Sequence, residues 1–395
     1  MKKSFVTDLA LKLAPYAVEI RHRIHRNPET AMVEYKTTEL IKHELLQMGV
    51  ELQDIGLKTG CVGLIRGLKP GEGKVLGIRA DIDALPMQDL CGKPWHSTVD
   101  GVAHTCGHDS HTAALLAAAK GLMQIRDQFS GIVKLVFQPG EEGMLGAKVL
   151  VEKGVMDDPT VDMMVAMHNT PMYKLGQIAC AEGQIMAASD RFLLKFVGKS
   201  AHGSRPSEGR NSLLALSHAV LGLHEIISNE VNTREMAVVN TCIAEGGTAC
   251  NIVPAEASLK GTVRTLSPDV RKTVEAAIRR VAEHAAAMCG CTAEISYSYG
   301  CPPVTNDAEL TELVRKAAEK IVDDGNYLHL DSLLGGEDFS VYSQVNPKTC
   351  LYRLGVARES VEREPQLHNA HFDFNDDAMP YAIAGHLQLV LDING

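Results

Sequence analysis

His104-Thr105-Cys106-Gly107-His108-Asp109-Ser110-His111 packs a thiol, three imidazoles and a carboxylate into one short stretch, and its reading decides the fold. Cys106 and His108 are two positions apart, so on an extended or looped backbone both side chains point the same way. A thiolate and a neutral imidazole are preferred ligands of zinc and its first-row neighbours. The stretch runs directly into an alanine-rich helical run over 110–123 (containing TAALLAAAKGLM), with Asp109 or Ser110 able to cap its first turn. The donors therefore sit on a loop fixed by a helix start. Any single histidine here reads as well as a satisfied surface side chain. The cluster does not, because further donors end in matching places along the chain.

Working outward, KVLGIRA (74–80) is predicted as a strand that runs into Asp81-Ile82-Asp83. GIVKLVF (131–137) is apolar and β-branched, hence a second strand, followed at once by Gln138-Pro139-Gly140-Glu141-Glu142-Gly143. VDMMVAM (161–167) has the pattern of a buried strand and delivers His168 past its end. Three strands thus bring acids or an imidazole to one edge, the carboxyl edge at which open α/β sheets bind ligands. Upstream, the first fifty residues read as helical, with a second helix over 37–48 that stops at Gly49 and a strand over 60–66. His22 and His25, three apart among arginines, read as a solvated or substrate-adjacent face.

From about residue 187 the pattern changes. A strand over 190–197, a helix over 211–228, strands over 236–244 and 257–264, a helix over 268–288 and a strand over 292–299 spell βαββαβ, a ferredoxin-like unit complete in itself. It reads as an insertion. Beyond it come a helix over 308–323, a Gly-Gly-Glu-Asp-Phe loop (335–339), a strand over 349–355 that returns to the first sheet, a histidine-bearing loop over 367–374 and a closing helix from about 377.

Composition agrees with two domains, since single cores stop growing near ~250 to 300 residues and the chain has 395. A formal charge of −10 without any Lys/Arg cluster argues against nucleic acid. A small anionic substrate remains compatible, because one arginine can oppose the global sign. Asp8, Lys12 and Glu19 interrupt the apolar N-terminal run, which therefore reads as the first helix of a cytoplasmic protein and not as a signal peptide or membrane span. The ten cysteines are scattered without the framework of a small secreted domain. Most read as small buried side chains, Cys106 excepted.

Glu141 and Glu142 are adjacent, so in an irregular turn one can face a metal while the other faces the space above it. Lewis acid, activated water and a carboxylate that takes the water's proton are the minimum for hydrolysing an amide or ester. A non-catalytic metal-binding protein is the alternative from another class. A closed structural site, however, uses four ligands and needs no spare base.

RADIDALP (79–86), HTCGHDSHTAA (104–114), FQPGEEG (137–143), MHN (167–169), GKSAHGSRPSEG (198–209), GGTACNIVPAEASLKGTVRT (246–265), GGEDF (335–339) and LHNAHFDFNDD (367–377) follow one another in order. From about residue 20 to the C-terminus this order resembles the metal-dependent aminoacylase and carboxypeptidase family, in the branch of hippurate hydrolase, auxin-conjugate hydrolases and N-acyl-amino-acid deacetylases. The resemblance implies an α/β, two-domain architecture: a mixed-sheet, zinc-peptidase-like catalytic domain (1–186 and 300–395) with an inserted ferredoxin-like lid and dimerisation domain (187–299). It implies Cys106, His108, Glu142, His168 and His368 as ligands of two divalent metal ions per subunit (zinc, manganese, cobalt or nickel), with Glu141 as general base. Asp83 matches an acid that orients a ligand, whereas Asp81 stands where other branches have a metal-binding histidine. His371 lies near His368, and Ala370 replaces the usual proline between them. In the insertion, His202 would polarise the scissile carbonyl, while Asn251 and Arg264 bind substrate. Thr170, where relatives carry a bulkier apolar residue, would alter the acyl pocket. The activity implied is hydrolysis of an N-acyl amino acid, acetyl or aromatic, by a homodimer. A dipeptidase or carboxypeptidase acting on dipeptides is the alternative within the family.

Overall fold

The computed structural model describes residues 1–358 and 362–395. Its contacts divide the chain into two units: Met1–Gly183 with Thr305–Asp331 and Asp338–Gly395, and Gln184–Val304 with Ser332–Glu337.

The first unit is built on an eight-stranded sheet in the order Glu51–Gln53, Cys61–Arg66, Ile132–Gln138, Val75–Asp81, Met163–Lys174, Thr349–Ala357, Ile178–Cys180 and Tyr327–His329. Val75–Asp81 runs parallel to both of its neighbours, and Thr349–Ala357 runs parallel to Met163–Lys174. Antiparallel pairs nearer the edges make the sheet mixed. The central strands are near-continuous runs of buried residues, as expected where both faces are covered.

Helices Phe5–Arg26 (α1), His108–Gln124 and Met379–Asn394 pack together over one core. The alanines of His108–Gln124 let its neighbours approach closely: Ala113 to Ala119 are all without exposed surface. A Cβ on Gly121 would meet Leu13 and Leu387 at 2.9 and 3.0 Å. This helix begins earlier than expected, and neither Asp109 nor Ser110 caps it. Its N-cap is Gly107 in the left-handed region (φ 88°), which makes no side-chain cap. Ser110 Oγ instead donates back to the Gly107 carbonyl at 2.6 Å, and Asp109 is taken by His25.

That pairing also overturns the solvated-face reading of His25. His25 and Arg21 are buried on α1, facing Asp109, Asp373 and Asp376. Charges removed from water persist only where such partners compensate them, and these partners are distant in sequence.

The second unit holds a four-stranded antiparallel sheet in the order Ala237–Gly246, Glu256–Thr265, Ala188–Val197 and Thr292–Ser298. Helices Ser212–Glu230 and Pro268–Met288 cover one face, over a core that includes Phe192, Leu194, Phe196 and Leu259. Asn211 and Ser267 cap the two helices. Chain order and strand order together are those of a ferredoxin-like unit. Among the described residues, no helix is long and apolar enough to cross a membrane.

Candidate metal centre

Two adjacent parallel strands end together, at Asp81 and Gln138, and a third passes the same level. Asp81 pairs in register with Gln138, and Arg79 is level with Ala166, which brings His168 to the level of Asp81. His168 does not follow its strand, as expected from sequence, but lies inside it, because the strand continues to Lys174. The loop that ends at Gly107 sits over this edge. A Cβ on Gly107 would come within 2.3 Å of Asn169 Nδ2, and that amide donates to the Cys106 carbonyl at 2.8 Å. Glycine is thus required for space as well as for its positive φ.

The side chains of Cys106, His108, Glu141, Glu142, His168 and His368 converge there. His168 Nε2 is 3.6 Å from Cys106 Sγ. His108 Nε2 is 3.9 Å from Glu142 Oε1 and 4.0 Å from Glu141 Oε2, and His368 Nε2 is 3.3 Å from Glu142 Oε1. The sets Cys106/His108/His168, Cys106/Glu142/His368 and His108/Glu141/Glu142 each keep their donor atoms within 4.8 Å of one another. His371 is turned away, its Nδ1 donating to the Leu90 carbonyl at 2.8 Å.

What holds each donor is specific. His108 Nδ1 donates to the carbonyl of Asp83 and faces its carboxylate at 3.2 Å, which turns Nε2 toward Glu141 and Glu142. The other oxygen of Asp83 accepts the backbone N–H of Glu142 at 2.9 Å. His168 Nδ1 donates to the Asn169 carbonyl at 2.7 Å, so its Nε2 faces Cys106. Such partners fix the tautomer and orientation of a ligating imidazole.

The donor set fits a divalent cation. Among the described residues, His108 Nε2 and Glu142 Oε1 are buried and find no hydrogen-bond partner, a costly arrangement unless something binds them. Burial pushes the Cys106 thiol up to about 12 and holds His168 well below the usual imidazole range, with Arg353 adding to the effect. Burial alone would raise Glu142, yet His368 and His108 hold it below the usual carboxylate range. A neutral imidazole and a carboxylate are ready ligands, and a cation beside the thiol favours its ionisation.

Asp81 is occupied otherwise. Its Oδ1 accepts from His111 Nδ1 at 2.5 Å and its Oδ2 from Arg79 Nη1 at 2.5 Å, while the backbone N–H of Asn169 donates to His111 Nε2 at 3.0 Å. His111, the third imidazole of the opening stretch, is thereby bound up in the scaffold. Sequence reading also missed Glu34, whose Oε1 accepts the N–H groups of Met32 and Gly140 at 2.8 Å and so pins the turn before Glu141. Asp338 lies in the segment that the sequence predicts as a loop. It begins a 3₁₀ turn and ties Arg79, Gln138 and the N–H of Ala147 together. None of these contacts has a local signature.

His202, Asn251 and Arg264 lie in the second unit. Strand Ala201–His202 pairs with Ile252–Val253, and Gly203 N–H donates to the Asn251 carbonyl at 2.7 Å, so His202 and Asn251 are neighbours. The His202 ring is exposed and pairs with Ser204 Oγ at 2.8 Å. Arg264 Nη1 is buried without a hydrogen-bond partner among the described residues.

The sequence profile of Peptidase family M20/M25/M40 matches residues 77–392. Thermostable carboxypeptidase 2 of Saccharolobus solfataricus is 33% identical over 384 residues, 96% of either chain. N-acetylcysteine deacetylase of Bacillus subtilis is 36% identical over 331 residues, 84% of this chain and 86% of its own. A Bacillus subtilis crystal structure described as a dinuclear metal binding peptidase from the M20 family superposes with a TM-score of 0.85 at 32% identity, covering 96% of this chain and 98% of that one.

Proposed function

The chain belongs to peptidase family M20/M25/M40, and from that premise we propose that it is a metal-dependent amidohydrolase that cleaves N-acylated amino acids into a carboxylic acid and the free amino acid. Hydrolysis of amide or peptide bonds follows from the family; the substrate is our reading. Cys106, His108, Glu142, His168 and His368 would hold two divalent ions, zinc or a first-row neighbour, by the chemistry of their donors. When bound, such ions supply a Lewis acid and an acidified water.

The observation that carries the proposal is Glu141. Its carboxylate stands 4.0 Å from the same His108 nitrogen that Glu142 approaches at 3.9 Å, so a carboxylate remains after the ligand set is filled. Glu141 takes the proton of the attacking water and delivers it to the leaving amine nitrogen. Glu34, through Gly140, and Asp83, through Glu142, keep the two carboxylates in place.

In the second unit, the Arg264 guanidinium would grip the α-carboxylate of the substrate and Asn251 would add a hydrogen bond. His202 would steady the developing oxyanion. The deacetylase relative removes acetyl groups by name and the carboxypeptidase relative cleaves peptides by name, so the two classes differ in whether the acyl side bears an amine. Turnover of hippurate-like, N-acetyl and dipeptide substrates side by side separates them. The proposal expects the N-acyl substrates to lead, and a preference for dipeptides would make the protein a dipeptidase or carboxypeptidase.

We further propose a homodimer. Ala237–Gly246 is an edge strand of its sheet, with Val238 and Ile243 exposed, the kind of edge that pairs with a second copy across a two-fold axis.

A further inference from the structure

A second group of metal-type donors lies outside the centre described above. His25 of α1 with Asp89 and Cys91 of the loop after strand Val75–Asp81 places an imidazole nitrogen, a carboxylate oxygen and a thiol sulfur within 4.8 Å of one another. The side chains of His25 and Asp89 are 2% and 3% exposed, and Cys91, a free thiol, is partly exposed.

The surroundings are those of a prepared ligand set. Asp109 Oδ2 accepts from His25 Nδ1 at 2.8 Å, which directs Nε2 toward Asp89, 3.2 Å away. A carboxylate behind an imidazole is the arrangement that orients histidine ligands in metal sites. Asp89 is itself fixed: Oδ1 accepts the Cys91 N–H at 2.9 Å and Oδ2 the Ser97 N–H at 2.7 Å, which leaves one lone pair on Oδ1 and, on Oδ2, the one that faces His25 Nε2. The same loop is joined to the His368 loop, since Leu90 N–H donates to the Ala370 carbonyl at 2.8 Å and His371 donates to the Leu90 carbonyl.

We propose that His25, Asp89 and Cys91 form a separate binding site for a soft divalent cation, zinc by its mixed N, O and S donors, with solvent at the fourth position. The charge balance favours it. Metal-free, an imidazolium, a carboxylate and a neutral thiol sum to zero. Binding releases one proton from His25 and one from Cys91, and the dication with a carboxylate and a thiolate again sums to zero. No net charge is added to a largely buried site. The bound ion would clip the Asp89–Ser97 loop to α1, beside the loop that carries His368.

The test uses the full chain, stripped of metal and titrated with zinc against a chromophoric chelator. Wild type should take up one equivalent more than Cys91→Ala, whatever number the Cys106 centre retains. Cobalt supplies an independent reading. In a Cys106→Ala background the near-ultraviolet thiolate-to-cobalt band should persist, and adding Cys91→Ala should remove it. Equal zinc stoichiometry in wild type and Cys91→Ala would overturn the site, as would a band that survives loss of both cysteines. His25 would then be held between its carboxylates by a proton alone. If Cys106→Ala fails to fold, the zinc comparison decides by itself.

Discussion

At the scale of single residues, Glu141 and Asp83 make separable predictions. Glu141→Gln keeps volume and removes the proton acceptor, so turnover should fall by about 10²-fold or more while metal content, measured on the purified variant, stays near wild type. Asp83→Ala removes the carboxylate that faces His108 Nδ1 and holds the Glu142 backbone N–H, while the Asp83 carbonyl stays. Metal affinity should drop about 10- to 100-fold, with turnover restored by added metal. His368 stands beside Glu142 whereas His371 binds the Leu90 carbonyl, so His368→Ala should deplete metal and His371→Ala should not; the reverse pattern would reassign the last ligand. Cys106, His108, Glu141 and Glu142 were legible in sequence because they sit in two dense motifs. Glu34 and Arg79 were not, since they act through partners distant in sequence, Gly140 for the one and Gln138 and Asp338 for the other, and such contacts leave no periodicity or spacing to read.

At the scale of elements, the strands of the first sheet were legible because continuous apolar runs ended in turn residues and acids. The helix His108–Gln124 starts before the residues whose side chains suit a cap, because a glycine in the left-handed region takes the place of one. Gly107→Ala should therefore cost more than its small size suggests. It combines an unfavourable φ with a clash against Asn169, and both the thermal midpoint and the metal content of the variant should fall. The closing helix Met379–Asn394 carries a different liability. Burial lowers His386 to about 4, helped by His111, so between pH 6.5 and 4 the unfolded chain binds a proton that the native helix refuses. The native state is favoured above that window and loses stability as pH falls through it, by up to roughly 3 kcal/mol from this group. Denaturant midpoints at pH 7 and pH 4.5 should lie closer together in His386→Leu than in wild type. An unchanged spacing would assign the acid sensitivity elsewhere.

At the scale of the whole molecule, the order of strands and helices after residue 187 was enough to read a ferredoxin-like unit, because its strands alternate and its helices are capped by Asn211 and Ser267. The buried ion pairs of Arg21 and His25 were hidden, since their partners lie up to hundreds of residues away. Sedimentation should give a dimer. If His202 serves the partner's centre, exchanging subunits between inactive His202→Ala and Glu141→Gln proteins should restore activity toward half that of wild type, because one site in each mixed dimer then has both groups. If it serves its own centre, mixing restores nothing.

The central claim is that the donors gathered around His108 hold divalent metal, and that amide hydrolysis depends on it. The most direct measurement follows turnover of an N-acyl amino acid and circular dichroism together while a chelator removes metal and a divalent cation is then returned. The account predicts that activity vanishes and reappears in proportion to metal bound, with the helix and sheet signals largely unchanged because the cluster rests on a sheet and helices with their own core. Turnover that persists in metal-free protein would contradict it.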